Sequence, residues 1–338
     1  MERTCFLPSL RGGHPKSRMD GAALNGHAGS VALAVDFGGT KVEAALVDAD
    51  GRLLGPSRHR HPTGRDATSD ELAAAVVDVT TRALADIPAG MSLIGAGIGS
   101  AGPIDHVAGT VSPVNVPAWR GYPLRDLVRG VLCDQVPDPD VLLATDGVAC
   151  ALAEHWVGAG KGVANMLGMV VSTGVGGGLI LGGRPFQGTG GNAGHIGHIE
   201  VSGLDGESTF GHPGMLEAVA SVPHSVAWAR RRGWTGTTGE DLARDYEHGH
   251  EVACAAVARA GTAIGQAIAS AAALLDLELV VIGGGFSEAT PDLFSFIREA
   301  VARHHFEYVR KVRVVPSSLS GAGPLIGAAA LVHLGQGR

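Results

Sequence analysis

Two glycine-rich bends in the chain have the composition of a phosphate-binding site. The first, at residues 36–41 (DFGGTK), and the second, at residues 172–177 (STGVGG), each join two apolar, β-branched runs. Glycines let backbone N–H groups converge on phosphate oxygens because no Cβ is in the way, and a carboxylate at a strand end can hold a hydrated Mg²⁺. Two such bends could enclose a triphosphate, although each alone is equally compatible with a tight hairpin that binds nothing.

The predicted phosphate and magnesium ligands come from these bends. Neither bend has the spacing of a P-loop or of a dinucleotide-binding G-x-G-x-x-G, so those two nucleotide sites are excluded. The carboxylate of Asp36 is the candidate for contact with Mg²⁺ through water. The predicted triphosphate-binding residues in the bends are Asp36, Gly38, Gly39, Thr40, Lys41, Thr173 and Gly174.

A third candidate, Asp146, directly follows the apolar run VLLAT at residues 141–145 and precedes a helical pattern that runs through Glu154. A carboxylate at the end of a strand can point into a cleft and take a proton from a substrate hydroxyl. The same position also suits an N-cap, in which the side chain accepts a hydrogen bond from the first turn of the helix. Residue type and position alone leave both roles open and favour the cap.

Strands and helices alternate along the pattern, which predicts an α/β architecture. A helix is expected at residues 69–86, a strand at 93–98 and a long alanine-rich helix at 252–275. The two glycine-rich hairpins lie about 135 residues apart, which indicates an internal duplication.

Composition narrows the class of protein. A formal net charge of −7 gives no basic field for nucleic acid, and no apolar run approaches the ~20 residues that span a bilayer. The four cysteines are scattered without a C-x-x-C pair, and the N-terminus lacks a signal-peptide pattern. We therefore expect a cytoplasmic protein that binds neither nucleic acid nor membrane, with a disordered tail at residues 1–29.

The order of motifs resembles the ROK family, which groups sugar kinases with sugar-responsive repressors. The matching segments span about Val31 to Leu334 and read DFGGTK, GIGSAGPID, VSPVNVPAW, ATDGVACALAE, VSTGVGGGLILGG, GTGGNAGHIGH, GMLE and VVIGGG. The resemblance implies the actin-like ATPase fold of hexokinases and ribonuclease H-like proteins, with two duplicated lobes and a central cleft. The lobes would be residues 30–141, completed by a C-terminal helix at 322–338, and residues 142–321.

The resemblance also implies an activity and its residues. The protein would be an ATP-dependent kinase that phosphorylates a hexose or amino-hexose, by resemblance at the 6-hydroxyl, with Asp146 as general base. A homodimer is the family expectation. The glycine triplet that follows the strand at residues 279–282 would face adenosine, which adds Gly283, Gly284 and Gly285 to the predicted ATP site.

The predicted sugar site departs from the family pattern at two positions. Thr145 stands where the family has asparagine before the catalytic aspartate, and His195 replaces the glutamate of its G-E-x-G-H loop. Since polar side chains that bind hydroxyls discriminate strongly, preference is expected to have moved from plain glucose. Kanosamine, the 3-amino analogue of glucose, would fit such a site. The predicted sugar-binding residues are Asn115, Thr145, His195, His198 and Glu217.

The family's structural zinc site is not expected here. The family uses three cysteines and the histidine of the G-H pair, but Ser208, Phe210 and Met215 replace the cysteines. These side chains cannot complete the tetrahedral sulfur and nitrogen shell of structural Zn²⁺. A site rebuilt from His195, His198 and His212 is the less favoured alternative.

Two other functions within the family are weighed against the kinase. A repressor would carry an additional N-terminal winged-helix module, whereas only about 29 residues precede the first motif, without a basic helical pattern. A non-catalytic sugar sensor is suggested by the changes at Thr145, His195 and the cysteine positions. Retention of Asp36, Thr40, Thr173 and Asp146 favours the enzyme.

Overall fold

The computed structural model describes residues 29–204 and 214–335. The strands are β1 (Ser30–Phe37), β2 (Lys41–Asp48), β3 (His59–Pro62), β4 (Ser92–Ser100), β5 (Ile104–Asp105), β6 (Thr110–Val111), β7 (Val141–Thr145), β8 (Met166–Val171), β9 (Val175–Leu181), β10 (Arg184–Phe186), β11 (Leu279–Gly283) and β12 (Arg313–Pro316). The helices are α1 (Ser69–Ala85), α2 (Leu124–Cys133), α3 (Asp146–Val157), α4 (Leu216–Ala220), α5 (Val222–Arg231), α6 (Gly239–Glu247), α7 (Glu251–Leu275), α8 (Gly285–Ala289), α9 (Leu293–Ala302), α10 (Glu307–Arg310) and α11 (Gly323–His333). The predicted tail lies outside the described residues except for Gly29.

Two five-stranded sheets repeat one topology. Their strand orders are β3-β2-β1-β4-β7 and β10-β9-β8-β11-β12. In each sheet three strands form an antiparallel meander, and the first of them continues the sheet through two parallel strands. This repeat confirms the predicted α/β architecture and its internal duplication, because each glycine-rich bend lies in the first hairpin of its own sheet.

One strand crosses the predicted boundary between the lobes. β7 pairs with β4, and Ser100 lies opposite Thr145, so the first sheet extends four residues beyond the predicted end of the small lobe at residue 141. The predicted large lobe, residues 142–321, therefore begins inside a strand of the first sheet. The sequence pattern identifies β7 as a strand but carries no information about its partner, which explains the misplaced boundary.

Helices α3 and α11 pack against each other between the two sheets. α11 contacts β1 and β4, and α3 contacts β8 and β9. Glycines make this close approach possible. A Cβ on Gly327 would lie 1.6 Å from the carbonyl oxygen of Ala149, and one on Gly97 would lie 1.8 Å from that of Ala328. The C-terminal helix thus joins the first sheet to the helix that begins at Asp146.

Each sheet has its own apolar core. Phe37, Trp119 and Tyr122 stack in series beneath the first hairpin, with ring centroids 4.4 Å and 3.9 Å apart. The second core surrounds α7, which packs on α9 and matches the helix predicted at residues 252–275. Among the described residues α7 is long and apolar enough to cross a membrane, but 61% of its most apolar window is buried in the protein. Such burial is the behaviour of a core helix.

Candidate active site

The carboxyl ends of three parallel strands bring the two candidate carboxylates to one edge of the first sheet. Asp36 of β1 lies opposite Gly99 of β4, and Gly99 lies opposite Ala144 of β7, two residues before Asp146. Since β4 lies between β1 and β7, the backbones of β1 and β7 are about 10 Å apart.

Burial changes the acidity of both carboxyl groups. Burial, followed by the negative charge of Asp146, raises the pKa of Asp36 to about 7. Burial also raises the pKa of Asp146 to about 6, although the Gly147 N–H donates to its Oδ1 at 2.7 Å, and the charge of Glu217 acts in the same direction as burial. Buried carboxyl groups whose pKa values are raised by burial and by a neighbouring carboxylate are typical of functional sites.

The N-cap of α3 is Thr145, which settles one of the two roles left open for Asp146. The Thr145 hydroxyl oxygen accepts a hydrogen bond from the Val148 N–H at 3.3 Å. Asp146 is the first residue of the helix, and its carboxylate accepts hydrogen bonds from the Gly147 N–H and from its own backbone N–H. Its carboxylate is therefore not needed as the cap.

Both glycine-rich bends are tight turns that a larger side chain would disturb. The Gly38 N–H donates to the Lys41 carbonyl at 2.9 Å, and the Ser172 N–H donates to the Gly174 carbonyl at 2.9 Å. A Cβ on Gly39 would lie 2.9 Å from the Cβ of Asn115. The first bend is thus packed against a predicted sugar-binding residue.

The second bend is held by Glu217. Its Oε2 accepts a hydrogen bond from the Val175 N–H at 2.9 Å, and a Cβ on Gly174 would lie 2.8 Å from the same oxygen. Glu217 thus contacts the second bend, and its negative charge also raises the pKa of Asp146.

A cavity of about 330 Å³ opens between the two sheets. Half of the ten predicted ATP-binding residues line it, namely Asp36, Lys41, Gly283, Gly284 and Gly285. Gly284 has φ +101°, and a Cβ there would lie 2.5 Å from the carbonyl oxygen of Val171, so this turn requires glycine. The other five, Gly38, Gly39, Thr40, Thr173 and Gly174, lie in the two bends outside the lining of this cavity.

Sequence reasoning missed Cys150 and Glu154, which also line the cavity. Both follow Asp146 at intervals of four residues and so share its face of α3. That spacing is a signal the sequence contains. Burial, followed by the charge of Asp146, raises the pKa of the Cys150 thiol well above its usual value. Glu154 accepts hydrogen bonds from the Ser317 hydroxyl at 2.5 Å and from the Ser318 N–H at 3.1 Å.

The loop that carries the predicted sugar-binding histidines crosses to the first lobe. His195 stacks on His198 with ring centroids 4.5 Å apart, and burial, followed by the charge of His198, lowers the pKa of His195. A Cβ on Gly102 would lie 3.4 Å from Cε1 of His195. In the same loop the Asn192 amide bonds to both backbone groups of Ile104, at 3.0 Å and 2.8 Å.

The model of the ROK family matches residues 32–334. The chain belongs to the ROK family. A glucokinase of Halalkalibacterium halodurans is 33% identical over 300 residues, which are 83% of this chain and 87% of the relative. An N-acetylmannosamine kinase of Escherichia coli is 30% identical over 303 residues, which are 88% of this chain and 97% of the relative.

A solved ROK structure has the same architecture. The crystal structure of a ROK family glucokinase from Streptomyces griseus, in complex with glucose and AMPPNP, superposes with a TM-score of 0.74 at 29% identity. The match covers 90% of this chain and 99% of that chain. The protein therefore has the actin-like ATPase fold of the ROK sugar kinases, as its motif order predicted.

The segment that replaces the ROK zinc cysteines falls largely outside the described residues. Ser208, Phe210 and His212 belong to that undescribed part, whereas Met215 immediately precedes α4 and bridges to Glu200. In residues 29–204 and 214–335 no group of three or more histidine, cysteine or acidic side chains could hold a metal ion. The predicted lack of structural zinc stays a prediction.

Proposed function

We propose that the protein is an ATP-dependent sugar kinase that transfers the γ-phosphoryl group of ATP to the 6-hydroxyl of a hexose or amino-hexose. The observation that carries the proposal is the arrangement of Asp36 and Asp146, which lie at the carboxyl ends of two parallel strands of the first sheet, with Asp36 in the lining of a glycine-rich cavity. Membership in a family that includes glucokinases and N-acetylmannosamine kinases supports the same reaction.

Asp146 is the proposed general base. As the sugar oxygen bonds to the γ-phosphorus, the bond from that phosphorus to the ADP oxygen breaks, and the hydroxyl proton passes to the Asp146 carboxylate. A pKa of about 6 suits the task, because the group is ionised at neutral pH and yet basic enough to accept a proton. Glu217 supports this basicity through its negative charge.

The ATP phosphates are proposed to lie against the two bends and the cavity lining. Gly38, Gly39, Thr40, Thr173 and Gly174 would offer backbone N–H groups and hydroxyls, and Lys41 would offer its ammonium. Adenosine would lie on the side of Gly283, Gly284 and Gly285. Phosphoryl transfer depends mainly on such positioning and on neutralisation of charge.

Mg²⁺ fits the chemistry of these residues. Burial disfavours the charged forms of Asp36 and Asp146, and a divalent cation nearby would stabilise those charged forms. Mg²⁺ typically binds to proteins through one or two carboxylates together with substrate phosphates. Asp36 would hold the ion through water, and the ion would neutralise phosphate charge when bound.

The sugar is proposed to contact Asn115, Thr145, His195, His198 and Glu217. Thr145 caps α3 through its oxygen, which leaves its hydroxyl hydrogen as a donor. Burial keeps His195 neutral at pH 7, so that its ring offers one donor and one acceptor where the family has a carboxylate. A neutral ring beside the substrate is compatible with an amino sugar such as kanosamine. A cytoplasmic homodimer without structural zinc completes the proposal.

The test is a coupled ADP-release assay with MgATP against glucose, mannose, fructose, glucosamine, N-acetylmannosamine and kanosamine. Turnover on one of these sugars that is lost in Asp146→Asn would support the kinase and identify its substrate. Sugar binding by calorimetry without turnover on any sugar would contradict the enzyme and favour a sugar sensor, the alternative that the altered His195 suggests.

A further inference from the structure

The first hairpin contains a buried carboxylate that the proposed chemistry does not use. Glu43 of β2 lies directly opposite Asp36 of β1, and its side chain is 4% exposed. Successive side chains of a strand alternate between the two faces of the sheet, so Glu43 shares its face with Lys41, which is two residues earlier. A buried acid beside the phosphate bend calls for a compensating cation.

Three cations surround Glu43. The Lys41 ammonium contacts its Oε2, Nη2 of Arg58 donates to Oε1 at 3.2 Å, and Nε of Arg60 lies 3.3 Å from Oε1. Burial raises the pKa of Glu43, but the hydrogen bonds and charges of Lys41 and Arg58 outweigh burial and hold it below its ordinary value. The carboxylate is therefore ionised at neutral pH, and the cluster as a whole has an excess of positive charge.

This cluster reaches the cavity from two directions. Lys41 lines the cavity beside Asp36, and Gly321 lines it from the turn that precedes α11. Nη2 of Arg58, which bonds to Glu43, also donates to the Gly321 carbonyl at 3.2 Å. Glu43 thus binds both Lys41, which lines the cavity, and Arg58, which holds the turn at Gly321 on the cavity wall.

We propose that Glu43 is a positioning residue of the nucleotide site, which holds the Lys41 ammonium at the phosphates and keeps Arg58 on the turn at Gly321. Glu43 itself touches no substrate and acts through these two cations. A lysine side chain has four rotatable bonds, and fixing it before ATP arrives removes an entropy cost from binding. The proposal rests on the proposed function in one respect, namely that ATP phosphates occupy this cavity.

The variant Glu43→Gln keeps the shape of the side chain and removes its charge. We expect a rise of about tenfold in the KM for MgATP and in the Kd for ADP, the loss that corresponds to one charge-assisted contact, with the KM for sugar changed less than about twofold. A purely electrostatic role predicts the opposite sign, because removal of a negative charge beside the site would tighten binding of an anionic nucleotide. Unchanged or tighter nucleotide binding would overturn the proposal.

Lys41→Met provides the reference for a double-mutant cycle. If Glu43 acts through Lys41, the double variant loses little more MgATP affinity than Lys41→Met alone, whereas fully additive losses would contradict the coupling. Glu307→Gln is the matched control, since Glu307 forms an exposed ion pair with Lys311 away from the cavity and its kinetics should equal those of the wild type.

Glu43→Asp keeps the proposal testable if Glu43→Gln does not fold. The carboxylate is retained but is one methylene shorter, so we expect a smaller loss of MgATP affinity in the same direction, and an unchanged KM for MgATP would count against the proposal. Failure of the proposed function would be distinguishable from failure of this inference, because the wild-type protein itself would then neither bind ADP nor produce it from ATP. Suppose instead that the wild type is active, that Lys41→Met lowers its affinity for MgATP and that Glu43→Gln does not. That result would reject the role of Glu43 and leave the proposed function intact.

Discussion

At the scale of single residues, Asp36 and Asp146 are held in surroundings that oppose their charge. Burial is the largest cause of the raised pKa of each, and the negative charge of Asp146 adds to the effect at Asp36. A chain selected for stability alone would gain from a neutral side chain at either position. Stability and activity should therefore change in opposite directions when such a charge is removed.

Asp146→Asn tests this opposition. We expect kcat to fall by about 10²–10⁴-fold, the usual contribution of a general base. The free energy of unfolding at pH 8 should rise by up to about 3 kcal/mol, because the pKa of about 6 lies some two units above the ordinary value of 3.8 and each unit corresponds to about 1.4 kcal/mol. Steady-state kinetics and urea unfolding measure the two effects.

The stability of the wild-type protein should depend on pH because the pKa of Asp146 is higher in the folded protein than in the unfolded chain. The folded protein binds the Asp146 proton up to about pH 6, whereas the unfolded chain releases it near pH 3.8, so wild-type stability falls as pH rises through that window. The stability difference between Asp146→Asn and wild type should thus be largest above pH 7 and should narrow towards pH 4. Wild-type kcat/KM should fall below about pH 6 as the base is protonated. A stability difference independent of pH would contradict the assignment.

His195→Glu restores the residue type of the family loop. The ring of His195 is partly buried and neutral at pH 7, whereas a carboxylate there accepts hydrogen bonds only. We expect the ratio of kcat/KM values for glucose and for the preferred amino sugar to shift towards glucose by about tenfold, the effect of one hydrogen bond that is matched or left unmatched. His248→Glu, at an exposed position on the end of α6, should leave the ratio unchanged. An unchanged ratio in His195→Glu would remove His195 from the sugar site.

At the scale of elements, sequence patterns predicted the two hairpins, the strand before Asp146 and the long helix α7, because each depends on local periodicity and on glycine at sharp turns. Residue type and position favoured Asp146 as the cap of α3, whereas the N-cap is Thr145, because both residue types suit an N-cap and the pattern does not fix the first residue of the helix. The pattern also contained the four-residue spacing of Asp146, Cys150 and Glu154, which places them on one face of α3. The sequence does not show that this face borders a cavity, because the cavity is also lined by residues of the second sheet.

The N-cap of α3 gives a prediction at this scale. Thr145→Ala should lower the free energy of unfolding by about 1 kcal/mol, since it removes the acceptor of the Val148 N–H. Thr145→Asn should leave the free energy of unfolding nearly unchanged, because asparagine is a good N-cap and is the residue of the family pattern. Thr145→Ala should also reduce kcat, because α3 begins at Asp146. Thr238→Ala removes the cap of α6 and should cost similar stability with unchanged kinetics. Unaltered kcat in Thr145→Ala would separate the cap from catalysis.

At the scale of the whole molecule, the duplication could be predicted from two similar hairpins, but the contacts between its halves could not. Ser317 and Glu154 are 163 positions apart in the chain, and Asn192 and Ile104 are 88 apart, yet each pair forms hydrogen bonds across elements. No local pattern marks such partners, because a polar side chain that bonds to a distant backbone resembles one that faces water. The misplaced lobe boundary at residue 141 has the same origin, since the partner of β7 is set by tertiary packing.

The contact between Asn192 and Ile104 tests whether hydrogen bonds between the two halves support sugar binding. The Asn192 amide accepts from the Ile104 N–H at 3.0 Å and donates to the Ile104 carbonyl at 2.8 Å, and so fastens the loop of His195 to the first lobe. Asn192→Ala removes both bonds, and we expect the KM for sugar to rise roughly tenfold while the KM for MgATP stays within about twofold. Asn165→Ala is matched to it, because the Asn165 side chain accepts a hydrogen bond from the Gly182 N–H at 2.9 Å next to the ends of β8 and β9, and its sugar KM should be that of the wild type. Equal effects of Asn192→Ala on both substrates, or none on the sugar, would mean that this contact supports the fold and not the site.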